Sequence, residues 1–225
     1  MLASEIRARG PLSLARYMEL ALGHPAYGYY RRREPLGASG DFITAPEISQ
    51  AFGEILALWL AQAWSDLGRP APVRLVELGP GRGTLMADML RAASRVAGFR
   101  QSLDVRLVET SERLRVAQRA RLAGHEVRWH AAFEEVPQGP LLLIANEIFD
   151  ALPVRQLVRA AHGWVERRVG LDDKGALGFV EDRELAPPAA LADIPGHEAA
   201  PPGTVAEVSP ARTALARAIG ARIAR

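Results

Sequence analysis

The 225-residue sequence contains no cysteine, which excludes disulfide bonds, a thiol nucleophile and a cysteine-ligated zinc site. It also lacks an apolar run long enough to span a membrane, and its N-terminus lacks the apolar core of a signal peptide. Its five histidines show neither HxH nor HExxH spacing, so no metal site is indicated. We therefore expect a cytoplasmic protein with no metal ion and no membrane partner.

The charged residues are nearly balanced, with 28 Lys+Arg against 26 Asp+Glu and a net charge of +2. The pI is nevertheless about 9.4, because Lys174 is the one lysine and nearly all basic residues are arginines, which keep their protons at high pH. So small a net charge gives no clear indication of a nucleic-acid partner. Hydrophobic residues make up 48% of the chain, enough for a real core, and the oligomeric state cannot be predicted.

Strand and helix patterns alternate through the middle of the chain. Apolar strands are predicted in VRLVELG, SLDVRLVET, EVRWH and PLLLIANEIF, and helical periodicity follows the first two of them. This alternation is typical of right-handed crossover units and predicts an α/β fold with a doubly wound parallel sheet. No fifth parallel strand follows the helix predicted from Ser209, so we expect the sheet to be incomplete at its C-terminal end.

The sequence pattern predicts four segments. Residues 1–70 form a helical and loop cap, 71–153 the cofactor-binding Rossmann-like core, 154–208 an antiparallel hairpin with a Pro/Ala-rich insertion, and 209–225 the start of a returning helix. Within the first segment, a long loop is expected over 24–47. A single helix is then expected from Pro46 to Leu67, with an apolar face made of Ile48, Phe52, Ile55, Leu56, Trp59, Leu60 and Ala63.

A glycine-rich turn, VELGPGRGT, follows the first predicted strand. Such a turn lets a ligand approach the backbone, and the helix behind it points unpaired N–H groups at negative charge. Dinucleotide folds use GxGxxG, whereas the third glycine here comes one residue early. An acid also stands two residues before the first glycine, which better suits the amino group and carboxylate of the methionine end of S-adenosylmethionine (SAM). We predict that the cofactor-binding residues here are Glu77, Gly79, Pro80, Gly81 and Gly83.

The end of the second predicted strand carries a further acid, Glu109. A carboxylate at this point can accept hydrogen bonds from both hydroxyls of a ribose. The alternative is that the glycine turn merely packs a helix against a strand and that Glu109 is a surface acid. After the third strand, Trp129 and Phe133 can contact an adenine, although apolar residues in such positions are as often core residues.

The end of the fourth predicted strand carries the candidates for transfer chemistry: Asn146, Glu147 and Asp150. Ligands of open parallel sheets bind beyond the carboxyl ends of the strands, and we expect the fourth strand to lie beside the first. Asn146 can accept a hydrogen bond from a target N–H, and Glu147 or Asp150 can hold a guanidinium group or remove its proton. Alternatively, Asn146 and Asp150 cap the following turn.

Four segments resemble the SAM-dependent methyltransferases of the MidA-like family, which includes a mitochondrial complex I assembly factor that methylates an arginine. They are GDFITAPEISQAFGE at 40–54, LVELGPGRGTLMADMLR at 75–91, LVETSERLRVAQ at 107–118 and ANEIFDALPVRQ at 145–156. The resemblance implies a class I methyltransferase fold with SAM as its cofactor. It also implies that the GDFITAPE loop lies over the cofactor, which gives a site role to Asp41, Thr44, Pro46 and Glu47.

From the residues and the resemblance together, we predict an enzyme that transfers a methyl group from SAM to an arginine side chain of a protein. A target like a respiratory complex I subunit is implied by the resemblance alone. Three alternatives stay open: a catalytically silent SAM-binding assembly protein, a methyltransferase acting on a small molecule, and one acting on RNA. An NAD-dependent oxidoreductase is disfavoured by the position of Gly83.

Overall fold

The computed structural model describes residues 1–24, 26–29 and 44–223. They form two compact units. One contains Met1–Tyr29 and Phe149–Ala216, and the other contains the described residues 44–148 together with 217–223. Most of the loop expected over 24–47 lies outside the described residues, and so does Asp41. The division into four segments stays a prediction.

Regular elements follow one another along most of the described chain. The helices are α1 (Leu2–Arg9), α2 (Leu14–Gly23), α3 (Ala45–Ile48), α4 (Gln50–Asp66), α5 (Thr84–Ala93), α6 (Phe99–Ser102), α7 (Glu112–Arg121), α8 (Pro188–Leu191) and α9 (Pro210–Ile223). The strands are β1 (Leu12–Ser13), β2 (Val73–Leu78), β3 (Leu103–Val108), β4 (Val127–His130), β5 (Leu141–Ile144), β6 (Arg155–Ala160), β7 (Gly163–Leu171), β8 (Leu177–Leu185) and β9 (Val205–Val208).

Strands β2 to β5 form a parallel sheet in the spatial order β4-β3-β2-β5. Their side chains are largely apolar, as expected of parallel strands that are covered on both faces, and Val73, Leu75 and Leu107 are fully buried. Helices α4 and α5 supply much of the apolar cover, including Trp64 and Met86. The predicted α/β class with a parallel sheet is confirmed, and so is the position of the fourth predicted strand, β5, beside the first, β2.

The prediction of one helix from Pro46 to Leu67 is wrong. The chain forms two helices, α3 and α4, with Ser49 between them in an extended conformation, and the Ser49 hydroxyl accepts a hydrogen bond from the N–H of Ala51 to cap α4. The predicted apolar face is also partly wrong, since three of its members are exposed: Ile48, Ile55 and Trp59. The buried residues of α4 are Leu60, as predicted, Trp64, and three small residues four positions apart: Gly53, Ala57 and Ala61. Small residues allow close packing between helices, and a pattern of hydrophobic residues does not predict such contacts.

The other unit is built on an antiparallel sheet in the order β1-β7-β6-β9, with β8 also paired to β7. The predicted hairpin is confirmed as β6 paired with β7. Strands β1 and β9 were not foreseen, because β1 has two residues and β9 lies next to the Pro/Ala-rich stretch, so neither shows a clear alternation. Helices α1 and α2 pack on this sheet through a small apolar core that contains Ile6, Leu12, Leu14, Leu20, Val154 and Val169.

The helix predicted from Ser209 is present as α9, and the Ser209 hydroxyl accepts a hydrogen bond from the N–H of Arg212 at 3.2 Å. Near its C-terminal end, Arg222 donates hydrogen bonds to the backbone oxygens of Val136 and Pro137. Among the described residues, no helix is both long and apolar enough to cross a membrane.

Candidate functional site

The glycine turn after β2 requires glycine for its backbone conformation. Gly79, Gly81 and Gly83 have φ angles of 62°, 53° and 80°, in the left-handed region that disfavours other residues. At Gly79 there is also no room for a side chain, since a Cβ atom would lie 2.5 Å from Cδ1 of Ile148. The turn closes with a hydrogen bond from the N–H of Gly83 to the oxygen of Pro80, and α5 begins immediately afterwards.

Glu77 lies near the end of β2 and is only 3% exposed. Its Oε2 atom has no hydrogen-bond partner among the described residues. Burial raises the pKa of Glu77 to about 8. A buried carboxyl oxygen without a partner is costly, and a ligand that brings a cationic donor would remove this cost.

Glu109 directly follows β3 and is 8% exposed, so it is not a surface acid. Its Oε1 accepts a hydrogen bond from the N–H of Ser111 at 2.7 Å, and its Oε2 accepts one from Nε2 of Gln118 at 3.4 Å. Burial raises the pKa of Glu109, and these two hydrogen bonds oppose the shift because they favour the ionised form. The carboxylate is therefore held in one orientation by α7 and the residues before it.

The glycine turn and Glu109 lie side by side because β2 and β3 are neighbouring parallel strands. The N–H of Gly79 donates to the oxygen of Val108 at 3.0 Å, which joins the two strand ends. The side chain of Gln118 adds a second link, since its Nε2 also donates to the oxygen of Gly81 at 2.8 Å. The structure thus brings together the glycine turn, predicted to bind the amino-acid end of the cofactor, and Glu109, predicted to bind its ribose.

The described part of the GDFITAPE segment lies against the start of α5. The hydroxyl of Thr84 donates to Oε1 of Glu47, and an Arg82 guanidinium nitrogen is 3.9 Å from the other oxygen of that carboxylate. Pro46 is buried in α3, and Thr44 comes directly before that helix. The roles of Thr44 and Pro46 toward a cofactor stay predictions.

The three candidates for transfer chemistry do not fall in one unit. Asn146 and Glu147 follow β5 and are partly buried and exposed, respectively. They come just before Ile148, whose side chain covers Gly79, so the strand end that carries them reaches the glycine turn. Asp150 is exposed in a short 3-10 helix, Phe149–Ala151, which belongs to the other unit. The catalytic role of each of the three stays a prediction.

Phe133 is buried, and the guanidinium group of Arg222 lies 5.2 Å from the centre of its ring. A core role therefore accounts for this residue, and its contact with an adenine stays a prediction.

Sequence reasoning missed Gln118, which is fully buried between the glycine turn and Glu109. The sequence feature that could have indicated its burial was its position four residues after Leu114, which places both residues on the inner face of α7. Among the described residues, no group of three or more acidic or histidine side chains could hold a metal ion.

Comparison with known proteins supplies an independent finding. The sequence pattern of a family described as "Putative S-adenosyl-L-methionine-dependent methyltransferase" matches residues 55–225. The proteins named "Protein arginine methyltransferase NDUFAF7, mitochondrial" from Danio rerio and Homo sapiens are 40% and 37% identical over 204 and 215 residues. These matches cover 80% and 84% of this chain but 48% of each relative, so the chain spans about half the length of the curated relatives it matches.

The structure also matches a crystal structure of a COG1565 superfamily member from Burkholderia thailandensis bound to S-adenosyl-homocysteine. The TM-score is 0.80 at 35% sequence identity, and the match covers 98% of this chain and 58% of that one.

One prediction is overturned by the comparisons. The cytoplasmic location expected from the sequence is wrong, because the curated relatives are named as mitochondrial proteins.

Proposed function

The chain belongs to this family of SAM-dependent methyltransferases, as its four sequence segments predicted, and from that premise we propose that it transfers a methyl group from SAM to an arginine side chain of a protein. The relatives from Danio rerio and Homo sapiens are named as protein arginine methyltransferases, which supports the acceptor. Because the chain spans about half of their length, both its activity and its acceptor belong to the proposal.

The observation that carries the proposal is the buried carboxyl of Glu77, whose Oε2 lacks a hydrogen-bond partner among the described residues. The residues around it fit the cofactor. Glu77 would accept from its ammonium group, the glycine turn at 79–83 and the start of α5 would receive its carboxylate, and Glu109 would accept from its ribose hydroxyls. Each of these residues lies at the carboxyl end of β2 or β3, where ligands of parallel sheets bind.

When bound, SAM supplies a methyl group on a positively charged sulfur, so little further chemical activation is needed. The chain mainly has to align the acceptor nitrogen, and alignment alone can supply much of a rate enhancement. A guanidinium group is a weak nucleophile while its charge is delocalised. The exposed carboxylate of Glu147 would orient this group and take the proton that its nitrogen gives up, while Asn146 would accept a hydrogen bond from a second N–H. Asp150 is the other candidate for the base.

Cofactor binding is tested by calorimetry with S-adenosyl-homocysteine. We expect Glu109→Ala and Gly81→Val to abolish binding while largely preserving the fold, because the first removes the ribose acceptor and the second places a side chain in the turn. Glu112→Ala is the matched control, since Glu112 is exposed at the start of α7 and pairs with Arg119. Unchanged affinity in both site variants would refute the assignment of the site.

The acceptor is tested by incubating the protein with methyl-labelled SAM and an extract of the source organism, followed by acid hydrolysis. We expect labelled methylarginine, and Glu147→Gln should reduce the label while preserving affinity for S-adenosyl-homocysteine. Label on a small molecule or on RNA would contradict the proposed acceptor. Absence of label from a protein that binds S-adenosyl-homocysteine would contradict the proposed activity and support a SAM-binding assembly protein.

A further inference from the structure

Gln118 is 0% exposed, although it lies on a helix with a largely charged sequence. On α7 it shares the buried face with Leu114. Burying an amide is costly unless its polar atoms are hydrogen-bonded, whereas an apolar side chain of similar size would pack there without that cost. The contacts of the amide are therefore the feature that needs explaining.

The polar atoms of the Gln118 amide are all engaged. Its Nε2 donates to the oxygen of Gly81 at 2.8 Å and to Oε2 of Glu109 at 3.4 Å. Its Oε1 accepts from Nε1 of Trp129 at 2.8 Å. Because an indole N–H can only donate, Trp129 determines which end of the amide faces the turn and the acid.

The contact with Gly81 also orients the next peptide group. In a trans peptide the C=O and the N–H point in opposite directions, so fixing the oxygen of Gly81 fixes the N–H of Arg82 as well. The turn lies close against the same side chain, since a Cβ atom at Gly83 would be 3.4 Å from Cγ of Gln118. One side chain thus controls the backbone of the turn and the carboxylate of Glu109.

We propose that Gln118 is a positioning residue that holds the glycine turn and the Glu109 carboxylate at the separation required by the two ends of the cofactor. It acts through these two groups and does not itself touch the ligand. The inference rests on the proposed function, because it assigns the turn to the amino-acid end of SAM and Glu109 to the ribose.

The test compares the affinity for S-adenosyl-homocysteine of the unsubstituted protein, Gln118→Met and Leu114→Ala. We expect Gln118→Met to lower the affinity about tenfold or more, as for the loss of a buried hydrogen bond that orients a charged group. Leu114→Ala removes packing from the same helix face and should lower the Tm without lowering the affinity. If the unsubstituted protein fails to bind, the proposed function is contradicted; if it binds and Gln118→Met binds equally well, this inference is contradicted.

The pH profile of binding separates positioning from a merely structural role. Ionised Glu109 is the form that accepts from both ribose hydroxyls, and the Gln118 amide and the Arg115 guanidinium both favour that form. In Gln118→Met we expect the fall in affinity on acidification to begin at a higher pH, whereas Leu114→Ala should keep the original profile. Among the described residues, the Gln118 amide makes its hydrogen bonds to Gly81, Glu109 and Trp129 and not to Glu77, so the titration of Glu77 should be the same in the unsubstituted protein and in Gln118→Met. Weaker binding with an unshifted profile would overturn the inference.

A second variant keeps the inference testable if Gln118→Met does not fold. Trp129→Phe keeps an aromatic ring near the Arg119 guanidinium, which lies 5.2 Å from the ring centre, but removes the donor that orients Gln118. We expect a smaller loss of affinity than in Gln118→Met, with the pH profile shifted in the same direction. Unchanged affinity and an unchanged profile in Trp129→Phe would contradict the role of this network.

Discussion

The hydroxyl of Thr84 donates a hydrogen bond to the carboxylate of Glu47 at 2.7 Å. Thr84 is the first residue of α5, directly after the glycine turn, and Glu47 lies in the short helix α3. The guanidinium group of Arg82, inside the turn, is 3.9 Å from the same carboxylate. The described end of the GDFITAPE segment is therefore attached to the residues that form the candidate cofactor site.

Thr84→Val should lower the free energy of unfolding by about 1 kcal/mol, because it removes the donor and leaves a partly buried carboxylate oxygen without this partner. Thr84→Ser is the matched control, since it keeps the hydroxyl and loses only a methyl group. Urea unfolding of the two variants measures the difference. Equal stability of Thr84→Val and Thr84→Ser would show that the hydrogen bond does not contribute.

The crossing of α4 over α5 leaves no room for a side chain at Gly53. A Cβ atom there would lie 2.7 Å from Cβ of Asp88 and 3.3 Å from Cδ1 of Leu85. Gly53→Ala should therefore destabilise the protein by about 1–3 kcal/mol through overpacking, despite the higher helix propensity of alanine. Gly220→Ala in α9 is the control, because no described atom outside the backbone of its own helix lies within 4 Å of its added Cβ, and it should stabilise by about 0.5–1 kcal/mol. Thermal unfolding that ranks the two variants in the opposite order would contradict this packing.

The features that were predictable from sequence are those set by short-range patterns. The glycine turn and the acids Glu77 and Glu109 follow from the ends of apolar strands, and parallel strands place their carboxyl ends at one edge of a sheet. Their burial was not predictable, because it depends on which helices cover that edge. Glu109 in particular is held by Gln118, and sequence spacing alone does not reveal the contact.

Features that depend on tertiary packing were predicted less well. Trp59 was placed on the apolar face of its helix by its spacing, yet it is exposed, while Gly53 makes the close contact with α5. This result could not be read from local hydrophobicity, because it depends on how closely α4 approaches α5.

Replacing Glu77 should change how stability depends on pH. Burial raises the pKa of Glu77 to about 8, well above its ordinary value of 4.5. Between these two pH values the folded protein holds a proton that the unfolded chain has lost, so stability falls as pH rises, by about 1.4 kcal/mol per pH unit for one such group. In Glu77→Gln this contribution disappears, and the stability of the ligand-free protein should fall less steeply from pH 5 to pH 8.

Urea unfolding at pH 5, 6, 7 and 8 measures this slope. Burial also raises the pKa of Glu109, so a smaller slope of the same sign should persist in Glu77→Gln. Glu126→Gln, which changes an exposed acid, should leave the slope of the unsubstituted protein unchanged. If Glu77→Gln and Glu126→Gln gave the same slope, the carboxyl of Glu77 would have to be ionised in the folded protein.

Glu147 combines an exposed carboxylate with a left-handed backbone conformation, at a φ angle of 52°. This conformation costs a residue other than glycine about 1–2 kcal/mol. Glu147→Gly should therefore stabilise the protein, by about 1 kcal/mol or less once the greater backbone freedom of glycine is included. Glu147→Gln keeps the conformational cost and should leave stability unchanged.

The two variants also distinguish the contribution of the Glu147 carboxylate to the rate of methyl transfer from the contribution of its backbone conformation. If Glu147 takes the proton of the acceptor, both should lower the transfer rate by a similar factor, about 100-fold or more, while affinity for S-adenosyl-homocysteine is preserved. If only Glu147→Gly is slower, the strained turn matters for placing Asn146 and the carboxylate does not. Full transfer in both variants would exclude Glu147 as the base and leave Asp150 as the remaining carboxylate candidate.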